Sequence, residues 1–261
     1  MSFLEEFNGF LREHGISRGF TPVPITARSE AEATTQQAEL QALVGQTSFV
    51  VEDRWRSRPE QMRARILAHA GVFTQVYARN CELRRIDKPT AAAFLKESHD
   101  YADALCRYRY GLFLKHLTGE KQYGGAAPVL VPGTLVAVAE FSNLRNLDLD
   151  GTRSRSCQWI RYASLPGIRV EGGMGKVLKG LIKDADPDDV MTYADLEWSD
   201  GGAYRALGFE FVDYRRPVLF RIDPLTWQRT AVDSRKSVSS PVDSPLWYMN
   251  FGSARYRLRL R

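Results

Sequence analysis

The chain lacks any run of about 18 apolar residues, so the sequence predicts no membrane-crossing helix. It is also poor in cysteine and histidine. Cys81, Cys106 and Cys157 and four histidines are scattered over 261 residues. That scatter supplies no disulfide framework and no zinc-type ligand spacing, and it suits a reducing compartment. The opening MSFLEEFNGFLREHG has no basic stretch followed by an apolar core, which argues against a secretory leader and for a cytoplasmic protein. Internal repeats and low-complexity segments are missing too. No charge of one sign dominates the whole chain, whose net charge is +5. The excess is local, however. Residues 213–261 hold ten Lys or Arg against four Asp or Glu, +6, and the remainder comes to −1. A basic stretch at that end suits either an anionic partner such as DNA or RNA or the solvated face of a strand.

What is present reads as alternating helices and strands. Phe3, Leu4, Phe7, Phe10 and Leu11 fall on one side of an amphipathic helix within 1–20, followed by a linker and a helix over 30–44. Strand character follows at 47–54, then a helix over 59–71 with Pro59 at its start and Gly71 at its stop. VYARNCELRRI at 76–86 alternates like one strand, and 88–99 reads as a helix. Residues 108–114 and 134–142 read as two antiparallel strands joined by a long connection. Beyond Cys157 the pattern is strand, glycine loop, helix, strand, short helix, strand, and the RYRLRLR end alternates strictly. This predicts an α+β or α/β layer fold with a mixed central sheet flanked by helices. The domain reading is a helical extension and linker at 1–46, a main domain at 47–212 and a basic strand arm at 213–261.

The segment with most chemistry in it is VEGGMGKVLKGLI, 170–182. Glycines at the start of a helix let a phosphate approach unpaired backbone N–H groups, and the helix dipole adds positive potential there. Lys176 brings a cation. A P-loop is excluded because Val177 follows Gly175-Lys176 and no glycine lies five positions before Gly175; the dinucleotide G-x-G-x-x-G is unmet as well. The alternative is a tight turn whose glycines serve geometry alone.

Two further features resemble the GNAT (N-acyltransferase) family. TYADLEWSDGGAYRALGFEF is similar to the end of a GNAT domain, where a tyrosine stands four residues before Gly-Phe; here these are Tyr204, Gly208 and Phe209. The loop is similar to the family's Arg/Gln-x-x-Gly-x-Gly/Ala at Val170, Gly173 and Gly175, with Val in place of Arg or Gln. The ordered blocks VVEDRWRSRPEQMRARI, VYARNCELRRI, FLKESH, YRYGLF, LVAVAEFSNLR, WIRYAS, the glycine segment and TYADLEWSDGGAYRALGF cover about 50–212. Together they resemble a phage-type, homing-endonuclease-associated group with a GNAT-like domain. The TYAD run at 192–195 is also similar to a segment of the phage Mom DNA-modification protein, which has a GNAT-like fold and modifies adenine in DNA.

The resemblance implies an acetyl-CoA or other acyl-CoA cofactor and transfer of its acyl group to a nucleic-acid base or a protein amine. It implies Tyr204 as the acid for the leaving thiolate. Candidate bases are Asp195 and Glu197, two apart on one strand face that Tyr193 shares, and His99. Trp159, Ile160, Arg161, Gly172, Gly173, Met174, Gly175 and Lys176 are the expected cofactor contacts, and Arg255, Arg257, Arg259 and Arg261 the candidate nucleic-acid contacts. The competing reading is a non-catalytic nucleic-acid-binding module on a degenerate GNAT scaffold.

Overall fold

The computed structural model describes residues 1–99, 104–124, 129–149, 151–232 and 244–261. The chain folds as two compact units, each assembled from discontinuous segments. The smaller comprises Met1–Met62, Ala194–Gly202 and Val212–Arg255, and the larger Arg63–Tyr193, Ala203–Phe211 and Tyr256–Arg261. Each is discontinuous because segments far apart in sequence pair with one another.

The smaller unit opens with the helix Phe3–Glu13. Its start is fixed by a capping box in which the Ser2 hydroxyl accepts from Glu5 N–H and the Glu5 carboxylate accepts from Ser2 N–H. Its apolar stripe sets Phe3, Phe7 and Phe10 around Trp55, with ring centroids 5.7–6.1 Å apart. The expected linker contains a strand, Phe20–Val23, that pairs in parallel with Ser48–Val51. The strand expected to run to 54 stops at Val51, and a helix, Glu52–Ser57, takes over. The helix Glu30–Leu40 follows Ser29, whose side chain caps it. A three-stranded antiparallel sheet centres on Leu219–Ile222, between Arg229–Ala231 and Leu246–Met249.

The larger unit is a mixed α+β layer. The chain's main sheet runs in the order Glu210–Arg215, Ser253–Arg259, Asp189–Asp195, Thr152–Ser164, Leu135–Phe141, Tyr108–Leu114 and Cys81–Arg85, and Arg145–Leu149 also pairs with Thr152–Ser164. The basic C-terminal strand is therefore an interior strand of this sheet rather than an arm. The expected antiparallel pair 108–114 and 134–142 is present, in the register Tyr110–Ala139 and Gly111–Val138. The single strand expected over 76–86 is two strands, Phe73–Tyr77 and Cys81–Arg85, split by a tight turn at Ala78–Asn80.

Helices cover both faces of the sheet. Gly173–Ala185 buries Val177, Leu178 and Leu181, and its Asp184 and Gly180 carbonyl accept from the Tyr110 hydroxyl. Lys88–Ser98 packs Ala91 and Leu95 on Val138 and Ala163, the opposite face. A second sheet sets Ile168–Glu171 parallel to Phe73–Tyr77, with Lys121–Tyr123 antiparallel on its other side.

Candidate functional site

The long strand Thr152–Ser164 and the strand Asp189–Asp195 run parallel. Their register is Asp189–Ser156, Val190–Cys157 and Met191–Gln158, and it goes no further although both strands continue. Beyond it, the Thr192 hydroxyl still donates to the Trp159 carbonyl at 3.2 Å. The carboxyl ends of such strands are the place where ligands bind in parallel α/β sheets.

The Gly173–Ala185 helix begins beside those strand ends. Gly172 takes a left-handed conformation, φ 74°, ψ 4°, and no side chain caps the helix start. The amides of its first turn have no i−4 carbonyl to bond. Glycine at 173 is enforced by packing: a Cβ there would stand 2.3 Å from the Tyr162 hydroxyl and 3.0 Å from Val170 Cγ1. Val170 is buried and pairs in register with Val76, so a long polar side chain at this position would enter core. Lys176 does not reach outward. Its ammonium donates to the carbonyls of Ala78 at 2.8 Å and Cys81 at 2.5 Å, tying the helix start to the turn between two strands. Met174 and Gly175 lie in the same turn, where Leu207 approaches within 3.5 Å of a Cβ built on Gly175.

An aromatic cluster forms the adjoining wall. Trp159 lies 6.1 Å from Tyr162 and 5.9 Å from Tyr204, and Tyr204 packs on Phe209 and Tyr256. Burial raises the Tyr204 phenol above its ordinary range, with the Thr192 side chain opposing. Burial pushes the Tyr162 phenol up to about 12, and the Ser164 side chain slightly favours its ionised form. The Tyr162 oxygen is sealed from water and makes no hydrogen bond of good geometry among the described residues. Both phenols stay protonated at neutral pH.

The structure therefore gathers Trp159, Gly172, Gly173, Met174, Gly175 and Tyr204 around one region, and adds Tyr162 and Thr192. Arg161 and His99 lie on the other face of the sheet. A bulge at Ile160 shifts the register between Glu140–Arg161 and Phe141–Trp159. Trp159 and Tyr162 consequently share one face, and Arg161 turns to the other, opposite the buried Glu140. Simple alternation would have put Trp159 with Arg161 and hidden Tyr162, which is why the sequence pointed to the wrong partner. His99 ends the Lys88–Ser98 helix on that opposite face, its N–H bonded to the Leu95 carbonyl.

Asp195 and Glu197 belong to the smaller unit. The strand ends at Asp195, so period-two alternation does not carry to Glu197. Asp195 caps the turn instead, accepting from Glu197 N–H at 3.0 Å. Glu197 is buried, accepts from the Tyr248 hydroxyl at 2.6 Å and lies 3.9 Å from Arg229. Arg229 in turn grips the fully buried Asp53 through two hydrogen bonds of 2.5 and 2.6 Å. Loss of water, then the Asp195 charge, raise Glu197 to about 7. This is an internal polar network holding a turn, a helix and two strands together.

The C-terminal arginines are engaged within the chain. Arg255 pairs with Asp213 at 2.5 Å, Arg257 with Asp189 at 3.4 Å, and Arg261 with Asp186 and Asp188. Arg259 is exposed. The alternation that looked like a basic arm is the neutralising side of an interior strand.

Among the described residues no cluster of His, Cys, Asp and Glu could hold a metal ion, and no helix is long and apolar enough to cross a membrane. No family model matches the chain, and no curated protein is significantly similar to it.

Proposed function

We propose that the larger unit binds an acyl-CoA and acts as an N-acyltransferase-like protein of the GNAT type. The observation that carries the reading is an uncapped glycine helix start beside two parallel strands that part at their carboxyl ends. Unpaired amides and the positive end of a helix dipole suit a pyrophosphate. The parted strands would receive the extended pantetheine arm beyond Gln158 and Met191, where their register against each other stops. Lys176 is an anchor in this scheme, and affinity comes from the backbone. Val170 is core, so the missing Arg or Gln removes a side-chain donor without altering the cradle.

In acyl transfer an amine attacks the thioester carbonyl, the carbon–sulfur bond breaks, the leaving thiolate takes a proton, and the attacking nitrogen gives one up to water. A phenol that stays protonated at neutral pH is the right donor for a thiolate of ordinary pKa near 8.5. Tyr204, set against Trp159 and tied to Thr192, has that character. His99, Asp195 and Glu197 are not the base in this scheme, since one sits on the far face of the sheet and the other two are held in a turn and a buried network.

Calorimetric titration of the full chain with acetyl-CoA tests the reading. Saturable heat is expected, abolished by Gly173→Ala because the added Cβ displaces Tyr162 from the helix start. Tyr204→Phe should keep binding and lose transfer to a panel of amine acceptors. No heat at millimolar ligand, with an unchanged melting temperature, would sink the proposal.

A further inference from the structure

The second sheet of the larger unit has one buried side and one open side. Thr74, Val76, Ile168 and Val170 are buried. The alternate positions, Phe73, Gln75, Tyr77, Arg169, Glu171, Lys121 and Tyr123, share the other side through the registers Phe73–Tyr123, Gln75–Lys121, Arg169–Gln75 and Glu171–Tyr77. Lys121, Arg169 and Glu171 are exposed and Tyr123 is 45% exposed, a large value for an aromatic ring, while Tyr77 is half-buried and Phe73 is buried.

Rings and cations interleave on this side. Tyr123 lies against Phe73 with centroids 5.3 Å apart, and the Arg169 guanidinium sits 5.1 Å over the Phe73 ring. Four residues along the same strand, about 13 Å at the usual rise, the exposed Arg79 guanidinium sits 4.4 Å over Tyr77. Cations outnumber carboxylates on this side: Lys121 and Arg169, with Arg79 just past the strand end, against Glu171, and Glu120 stands beside Lys121 in the chain. The His69 imidazolium is disfavoured first by lost hydration and then by Arg65 and Arg169.

Exposed rings on an open sheet accept unstacked bases, and cations between them meet phosphates. A duplex keeps its base faces stacked away from such a surface. Guanidiniums already held over rings lose less freedom when a base stacks or a phosphate binds. We propose that this sheet face binds single-stranded nucleic acid, with bases on Tyr123 and Tyr77 and phosphates on Lys121, Arg169 and Arg79. The proposal concerns a surface separate from the acyl-CoA region and stands whether or not that cofactor binds.

The test is fluorescence anisotropy of the full chain with a labelled oligothymidylate of about 12 nucleotides, within the usual span of such sites, over a range of salt. Saturable binding that weakens steeply with salt is expected. Lys121→Gln should lower the slope of log affinity against log salt by about 0.7, one phosphate contact on a single strand. Tyr123→Ala should weaken binding about tenfold, in the range of one lost stacking partner, and leave the slope unchanged. A purely structural role for Tyr123 would show instead as a lowered melting temperature; Arg79→Gln, also at an exposed position, then replaces it and should lower the slope like Lys121→Gln. No saturable binding at low salt, a duplex bound as tightly as the single strand, or variants indistinguishable from the parent would each overturn the proposal.

Discussion

Glu197→Gln probes the buried network of the smaller unit. Arg229 gives both of its strong hydrogen bonds to Asp53, leaving Glu197 the Tyr248 hydroxyl and a 3.9 Å approach to the same guanidinium. Asp195 lies near enough to add repulsion. Lost hydration first, and the Asp195 charge second, raise Glu197 to about 7 against 4.5 for a free side chain, with Arg229 opposing. The folded state then binds a proton that the unfolded chain releases. The resulting stability is fully present below about pH 4.5 and is lost as pH rises through about 7. At 1.36 kcal/mol per pKa unit the whole effect is about 3 kcal/mol. Glutamine keeps the shape and the acceptor for Tyr248 but cannot ionise. Urea unfolding of parent and variant at about pH 4 and about pH 8.5 should therefore give near-equal stabilities at the lower pH, with the variant ahead by about 3 kcal/mol at the higher. Using the difference between two proteins cancels the titration of groups outside this network. A variant that is less stable than the parent at the higher pH, or a difference that does not change with pH, would refute the reasoning.

Asp53→Ala should be more damaging than any change at Glu197, because it strands the buried Arg229 guanidinium; a loss of about 3–5 kcal/mol in urea unfolding is expected. Gly252→Ala should also destabilise strongly, by about 3 kcal/mol or more, since φ is 75° and a Cβ would stand 2.2 Å from the Arg215 carbonyl oxygen, a backbone atom that cannot swing aside. A melting temperature within a degree or two of the parent would contradict that geometry.

Much of the secondary structure was legible because periodicity is a local property. Leu135–Phe141 and Tyr108–Leu114 read directly as strands, and the apolar stripe of Phe3, Phe7 and Phe10 as a helix face. The glycine helix start was legible too, since only glycine fits a left-handed residue followed by a position closed off by another side chain. Local pattern failed where pairing partners decide. The bulge at Ile160 exchanged Arg161 for Tyr162 beside the helix start, and only the register against Leu135–Phe141 reveals it. The strand end at Asp195 removed Glu197 from the face it was expected to share, and drew it into a network with residues 144 and 51 positions away in the chain, Asp53 and Tyr248.

The sequence alone determined the alternation of helices and strands, the place of the glycine loop and the chain's local excess of positive charge. Tertiary structure decided what that charge meets. Arg255, Arg257 and Arg261 find Asp213, Asp189, Asp186 and Asp188 because the last strand lies inside a sheet. Lys121, Arg169 and Arg79, unremarkable in sequence, come together with Phe73, Tyr77 and Tyr123 because three short strands happen to share one side. Charge count is additive along a chain, whereas charge pairing depends on distance in space, and distance is set only when the strands have found their neighbours.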